Sequence, residues 1–197
     1  PVLSRGLGDV YKRQISSSNS FPHSSGIASS ASSMSALSLC IMSLEKKLTL
    51  IDDDYFFKKA SFISRIGSGS ASRSVYGGVN FWGKHKELNN SSDLYSVKLS
   101  KNISPKFNNY RDVILIIDDK EKEVSSSVGH GLMNDNPFSK VRFNAANNNI
   151  TKLLEILASG NLNDFCELVE GEALMLHSLM MNSCLLYTSD AADDSLR

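Results

Sequence analysis

This sequence predicts an α+β fold, on three observations. Long proline-free stretches carry apolar residues at helical spacing. Two short strand-like runs are joined by a polar link. Helices and strands also follow one another without strict βαβ alternation and without an internal repeat.

The first helix is the least obvious. Ile15–Ser38 holds 12 serines in 24 residues, the composition of a flexible linker. Spacing argues for a helix instead: Ile27, Ala31, Met34, Leu37, Ile41 and Leu44 recur at steps of 4, 3, 3, 4 and 3, one face of an α-helix. A loop punctuated by Pro22 and Gly26 should open it. A second helix is expected over Tyr55–Ile66, with Phe56, Ala60 and Ile63 inward and Lys58, Lys59 and Arg65 outward. The Asp52–Asp54 triplet precedes it, where negative charge favours a helix start.

A Gly/Ser loop, Gly67–Ser72, follows and leads into a short helical turn reaching Tyr76. "GGVNFWG" (Gly77–Gly83) reads as a strand, and "LYSVKLS" (Leu94–Ser100) as its antiparallel partner across Lys84–Asp93. Val113–Ile117, "VILII", reads as a buried strand. Beyond Pro137 two helices are expected. One covers Phe138–Ala158 and stops at Ser159–Gly160. The other covers Leu162–Asn182, with Phe165, Leu168, Val169, Leu176, Leu179 and Met180 as its core side and Met175, Met180 and Met181 as core methionines. A boundary near Asn102–Asn109, with Pro105, would divide the chain into two lobes.

Both ends are set apart. "SRGLGDVYKRQ" (Ser4–Gln14) resembles a translated sequencing-library transposon adapter, and "CLLYTSDAAD" (Cys184–Asp193) resembles its companion read from the opposite strand. Residues 1–14 and 184–197 are therefore expected to be adapter-derived, and 15–183 an internal fragment. The chain has 21 basic and 21 acidic residues, and removing four of each with the tails leaves 17 of each. Such balance gives no electrostatic footprint for nucleic acid or an anionic membrane surface. No apolar run approaches the roughly 20 residues of a membrane span. Cys40 and Cys166 lie singly in helical patterns and suggest neither a disulfide framework nor a metal motif. A cytoplasmic setting is the simplest expectation.

Two loops carry chemistry. In the first, Gly26 opens the backbone to close approach, and the loop feeds a helix N-terminus whose unpaired N–H groups suit an anion. Ser24, Ser25, Ser29 and Ser30 add hydroxyls. No Gly-Lys-Ser/Thr closes this loop, so it is not an ordinary P-loop. In the second, Gly67, Ser68, Gly69 and Ser70 surround Arg73, whose planar fork fits phosphate oxygens. No carboxylate lies between Asp54 and Glu87. A ligand anion is one partner for Arg73; an acid brought near by the fold is the other. A third cluster, Ser125–Ser127 with Gly129, follows the apolar run. Three such clusters suggest two phosphate-bearing ligands. Of the remaining candidates, His23 reads as a loop histidine facing solvent, His130 and His177 as packing or surface residues, and Phe81 and Trp82 as core.

"NSFPHSSGIASSASS", "IGSGSASRSVYGG", "DDKEKEVSSSVGHGLM", "NPFSKVRF" and "EGEALMLHSLMMNS" resemble, in order and spacing, the diphosphomevalonate decarboxylases of the GHMP small-molecule kinase superfamily. The resemblance implies a two-lobe GHMP-kinase-like fold with a mixed sheet packed against helices. Residues 15–104 would form part of the N-terminal ATP- and substrate-binding domain and 105–183 part of the C-terminal domain. It implies, for the parent enzyme, ATP-dependent decarboxylation of 5-diphosphomevalonate to isopentenyl diphosphate, with ATP and Mg²⁺ as cofactors and a homodimer as the family's assembly; the fragment by itself is expected to bind poorly and to be inactive. Ser24, Ser25, Gly26, Ile27, Ala28, Ser29 and Ser30 would hold the ATP phosphates. Ser68, Gly69, Ser70, Arg73 and Ser126 would hold the substrate diphosphate. The family often has glycine at the position of Ser33 and cysteine at that of Ser72. Its catalytic aspartate lies in an Asp-Ala-Gly-Pro-Asn-like motif that this sequence lacks, so the catalytic residue is unassigned and no protein metal ligand is expected. None of Asp52, Asp53, Asp54, Asp118 and Asp119 sits in a matching context. The rival readings are a GHMP relative that phosphorylates a mevalonate-type hydroxyl without decarboxylation, and a non-catalytic binding module.

Overall fold

The computed structural model describes residues 15–21, 27–99, 102–115 and 131–183. Four α-helices, two short strands and two 3-10 turns make up the described fold. Helix α1 is Ser29–Leu48, and α2 is Asp53–Gly67. A 3-10 turn at Gly69–Arg73 leads to β1, Asn80–Trp82, and then β2, Ser96–Lys98. A second 3-10 turn, Pro105–Phe107, precedes α3, Ser139–Ser159, and α4, Leu162–Ser183.

Local chemistry sets these limits. The Asp52 carboxylate accepts the Tyr55 N–H at 2.7 Å, capping α2, while Asp53 and Asp54 occupy its first turn. Lys46 and Lys47 sit in the last turn of α1, where positive charge is favoured. Gly160 stops α3 in the left-handed region at φ 73°, and a Cβ there would come within 2.9 Å of Ser104 Cβ. The Asn161 side chain then accepts from the N–H groups of Asn163 and Asp164 at the start of α4.

The strands pair as expected. β1 and β2 are antiparallel, with Phe81 opposite Val97, and Lys84–Asp93 links them. The mixed sheet of the expected architecture is represented among the described residues by this one antiparallel pair. Helices and a small sheet in mixed order bear out the α+β class.

The core is divided in two. Met42, Phe56, Ala60 and Val75 form one buried cluster between α1 and α2. Phe107, Ile156 and Leu157 form another at the end of α3, with Val79, Ile103 and Phe165 against it. Ser104 N–H donates to Leu157 O at 2.7 Å, and Lys106 Nζ to Gly160 O at 3.0 Å, fixing the 103–107 segment on that end.

Three expectations are corrected. Helix α1 exists, but its buried stripe is Ala31, Ser35, Ser38 and Met42, while Ile41 and Leu44 are exposed. Its serine hydroxyls bond carbonyls three or four residues back, as Ser35 does to Ser32 O and Ser38 to Met34 O, so they can face α2 without stranding a donor. Small side chains then let the helices approach, and Met34 lies so close to Gly67 that a Cβ there would sit 2.8 Å from Met34 Cγ. Second, Val113, Ile114 and Leu115 are exposed and form no strand; among the described residues they pair with no strand, so backbone and side chains stay open. Third, only Leu179 of α4 is buried; Val169, Met175 and Met181 are exposed, because among the described residues α4 packs on α3 along one side only.

Candidate functional site

Helix α1 begins without a side-chain cap. Ala28 precedes it in the left-handed region, φ 57° and ψ 39°, uncommon for a residue with a Cβ. The first-turn N–H groups of Ser30 and Ala31 precede the reach of intrahelical carbonyls, so this end presents donors and the positive end of the helix dipole. Ile27 is half-buried, Ser29 buried, and Ala28 and Ser30 exposed. Ser24, Ser25 and Gly26 lie outside the described residues, as do Pro22 and His23.

At the far end of α2, Ser68 leaves the helix in extended geometry, and its N–H still donates to Ser64 O. Ala71 N–H returns to Ser68 O at 2.9 Å, and the chain tightens into the 3-10 turn. The helical turn thus starts inside the expected loop, at Gly69. Arg73 is its last residue and is exposed. Among the described residues it takes part in no ion pair.

The two expected loops meet. Ser30 Oγ and Ser68 Oγ lie 3.3 Å apart, joining residues 38 apart in sequence. The N-terminal turn of α1 and the start of the turn that ends in Arg73 therefore meet in one hydroxyl-rich edge. Such an edge can take a polyanion through N–H, O–H and guanidinium donors together. Ser126, and the cluster Ser125–Ser127, lie outside the described residues.

Trp82 closes one side of this turn. Its ring stands where a Cβ on Gly69 would be 3.3 Å away, and its indole N–H donates to Asp93 O at 2.9 Å. Ring packing against the turn agrees with a structural role. His177 is exposed, and His130 lies outside the described residues.

Each aspartate of the acidic triplet has a structural partner. Asp52 caps α2, Asp53 pairs with Lys46 and Asp54 with Lys58 at 2.7 Å. Asp118 and Asp119 lie outside the described residues. Among the described residues there is no group of three or more His, Cys, Asp or Glu that could hold a metal, and no helix long and apolar enough to cross a membrane.

Sequence reasoning missed a buried serine network behind the turn. Ser61, Ser72 and Ser96 are each 0% exposed. Ser61 Oγ–H donates to Ser72 O at 2.7 Å and accepts Ser96 N–H at 2.8 Å. Ser96 Oγ–H donates to the same Ser72 carbonyl. Ser72 Oγ–H donates to Gly69 O at 2.9 Å within the turn. The available signal was a serine one residue from Ala60 on the inward side of an amphipathic helix.

Residues 5–94 match the diphosphomevalonate decarboxylase-like N-terminal domain. The chain is 37% identical over 121 residues to the diphosphomevalonate decarboxylase of Ganoderma lucidum, covering 60% of this chain and 28% of that one. It is 33% identical over 129 residues to the Saccharomyces cerevisiae enzyme of that name, covering 66% and 29%. A longer match, 26% over 191 residues, reaches the diphosphomevalonate decarboxylase of Gibberella zeae, covering 95% and 48%. Among solved structures, a mevalonate diphosphate decarboxylase from Legionella pneumophila superposes with a TM-score of 0.59 at 30% identity, over 81% of this chain and 46% of that one. The chain thus spans between about a quarter and a half of the length of these relatives.

Proposed function

We propose, from a chain whose residues 5–94 match the diphosphomevalonate decarboxylase-like N-terminal domain, that the whole protein carries out ATP-dependent decarboxylation of 5-diphosphomevalonate to isopentenyl diphosphate. The observation that carries this reading is the 3.3 Å approach of Ser30 to Ser68. It sets a helix N-terminus suited to nucleotide phosphates beside an arginine turn suited to a substrate diphosphate.

In this reading Ser24–Ser30 cradle the ATP phosphates through backbone N–H groups and hydroxyls. Ser68, Gly69, Ser70, Arg73 and Ser126 hold the substrate diphosphate. Arg73 supplies a fixed charge and a two-pronged donor, and the small neighbours leave room for phosphate oxygens against the main chain. Anchoring the non-reacting diphosphate brings the tertiary 3-hydroxyl to the γ-phosphate, so binding energy at one end orients chemistry at the other. The hydroxyl oxygen takes the γ-phosphoryl group as its bond to ADP breaks, the hydroxyl proton is released, and ADP leaves. The C–O bond then breaks, releasing phosphate, while the bond to the carboxylate carbon supplies the electron pair of the new double bond and CO₂ departs. Mg²⁺, carried on the nucleotide, would screen its phosphate charge; the described residues provide no carboxylate cluster for it. No aspartate of this chain is assigned as base, since none of Asp52, Asp53, Asp54, Asp118 and Asp119 sits in the family's motif.

We place the division between the two proposed domains at 104/105 on the family resemblance; the buried residues of the second cluster, Phe107, Ile156 and Leu157, lie after it, and Val79 and Ile103 pack against them from before it. The cytoplasmic setting is carried over from the sequence, with its balanced charge and singly placed cysteines, and the homodimer from the family resemblance. The test is an assay of the whole gene product with 5-diphosphomevalonate, following ADP, phosphate and CO₂ together. The reading expects all three in equal amounts, each dependent on ATP. ADP with a phosphorylated product and no CO₂ would instead favour the kinase-only relative, and no turnover with intact binding would favour the binding module.

A further inference from the structure

We infer that Ser96, together with Ser61, is a positioning pair for the anion-binding turn, acting on Arg73 through the carbonyl of Ser72. This rests on the diphosphate reading of that turn and adds two residues to it. The geometry is specific. The Ser72 carbonyl receives two hydroxyl protons, one from Ser61 and one from Ser96. With both protons committed there, the 3.2 Å approach of the two hydroxyl oxygens serves as packing, and the remaining capacity of Ser61 Oγ takes the Ser96 N–H. All three residues are shut off from water, so each bond forms in a low-dielectric interior where a missing partner is costly.

The Ser72 carbonyl is a meaningful place to hold. The peptide plane that contains Ser72 O also contains the N–H and Cα of Arg73, so fixing that oxygen fixes the origin of the Arg73 side chain. The other end of the turn is tied by Ser72 Oγ to Gly69 O and by Ala71 N to Ser68 O. Three separate elements, α2, the 3-10 turn and β2, thus converge on one oxygen. Neither Ser61 nor Ser96 is exposed to a ligand, so any effect on anion binding must pass through the turn.

The experiment is a calorimetric titration of this chain with inorganic pyrophosphate. Ser96→Ala is expected to weaken binding about tenfold, the scale of losing one buried hydrogen bond that holds the site. Ser96→Thr and Ser96→Val, matched in shape and differing in the hydroxyl, repeat the comparison at constant packing, and Thr should bind several-fold tighter than Val. In an Arg73→Ala background, Ser96→Ala should add little, because coupled residues are not additive. Equal affinities for the Thr and Val variants, or the same loss from Ser96→Ala with and without Arg73, would overturn the inference. Arg73→Ala by itself tests the underlying reading: if it binds pyrophosphate as the parent chain does, the diphosphate assignment falls, whatever Ser96 does.

Discussion

Tyr76 shows how a single side chain records its surroundings. It stacks on Phe57 with ring centroids 5.4 Å apart. Burial, with smaller contributions from Asp54 and Tyr95, pushes its phenol up from 10.0 to about 12. In the unfolded chain the same phenol ionises near its ordinary value. The folded state therefore holds this proton more tightly, and the associated stability is whole below pH 10.0 and lost as pH rises through about 12. Thermal midpoints should fall across that window in the parent chain and fall less steeply in Tyr76→Phe, which has no phenolic proton. Parallel declines would show that Tyr76 contributes nothing to the alkaline limb. At this scale the sequence was partly legible. Arg73 stood out because nothing of opposite charge lay near it in the chain, and the fold leaves it without an ion pair among the described residues. Ser61, Ser72 and Ser96 did not stand out, because a serine bonded inside a core and a serine in a loop are identical as letters.

Between elements, one ion pair deserves a direct test. Arg142 on α3 bonds Glu172 on α4 at 2.7 Å, and Asn149 donates to the other Glu172 oxygen at 2.6 Å. The Arg142 side chain is only 11% exposed, and its Nε and Nη1 are buried without a hydrogen-bond partner. Removing the acid leaves a nearly buried cation uncompensated. Glu172→Ala should cost about 2–3 kcal/mol, below the range for a fully buried pair because Glu172 itself is partly open to water. Arg142→Met removes the poorly satisfied donors along with the charge and should cost less. Urea unfolding of the two variants decides this, and a larger loss for Arg142→Met would contradict the account. Helix existence and limits were legible here through period, Asp52 and Gly160. The buried face of α1 was not. Hydrophobic spacing names the stripe most averse to water, whereas packing between α1 and α2 selected the stripe with the smallest side chains, Ser35 and Ser38 among them. Val113–Leu115 failed for a related reason: composition marks a strand, but only a neighbouring strand can complete its hydrogen bonds, and none of the described residues supplies one.

For the whole molecule, the chain passes from one buried cluster, which holds Val75, to the other, against which Val79 packs. Sequence order alone suggested that the Gly/Ser loops serve phosphate groups. Only folding shows the N-terminal turn of α1 and the turn after α2 side by side, because their contact spans the length of a two-helix hairpin. The functional reading depends on that juxtaposition, and titration of this chain with 5-diphosphomevalonate, for the parent and for Arg73→Ala, probes it. Weak but saturable binding is expected for the parent, with a loss of at least about tenfold in the variant, the scale of removing a charge-assisted bidentate contact. Equal affinity in the two proteins would mean that Arg73 does not receive the diphosphate, and the functional reading built on this edge would be wrong.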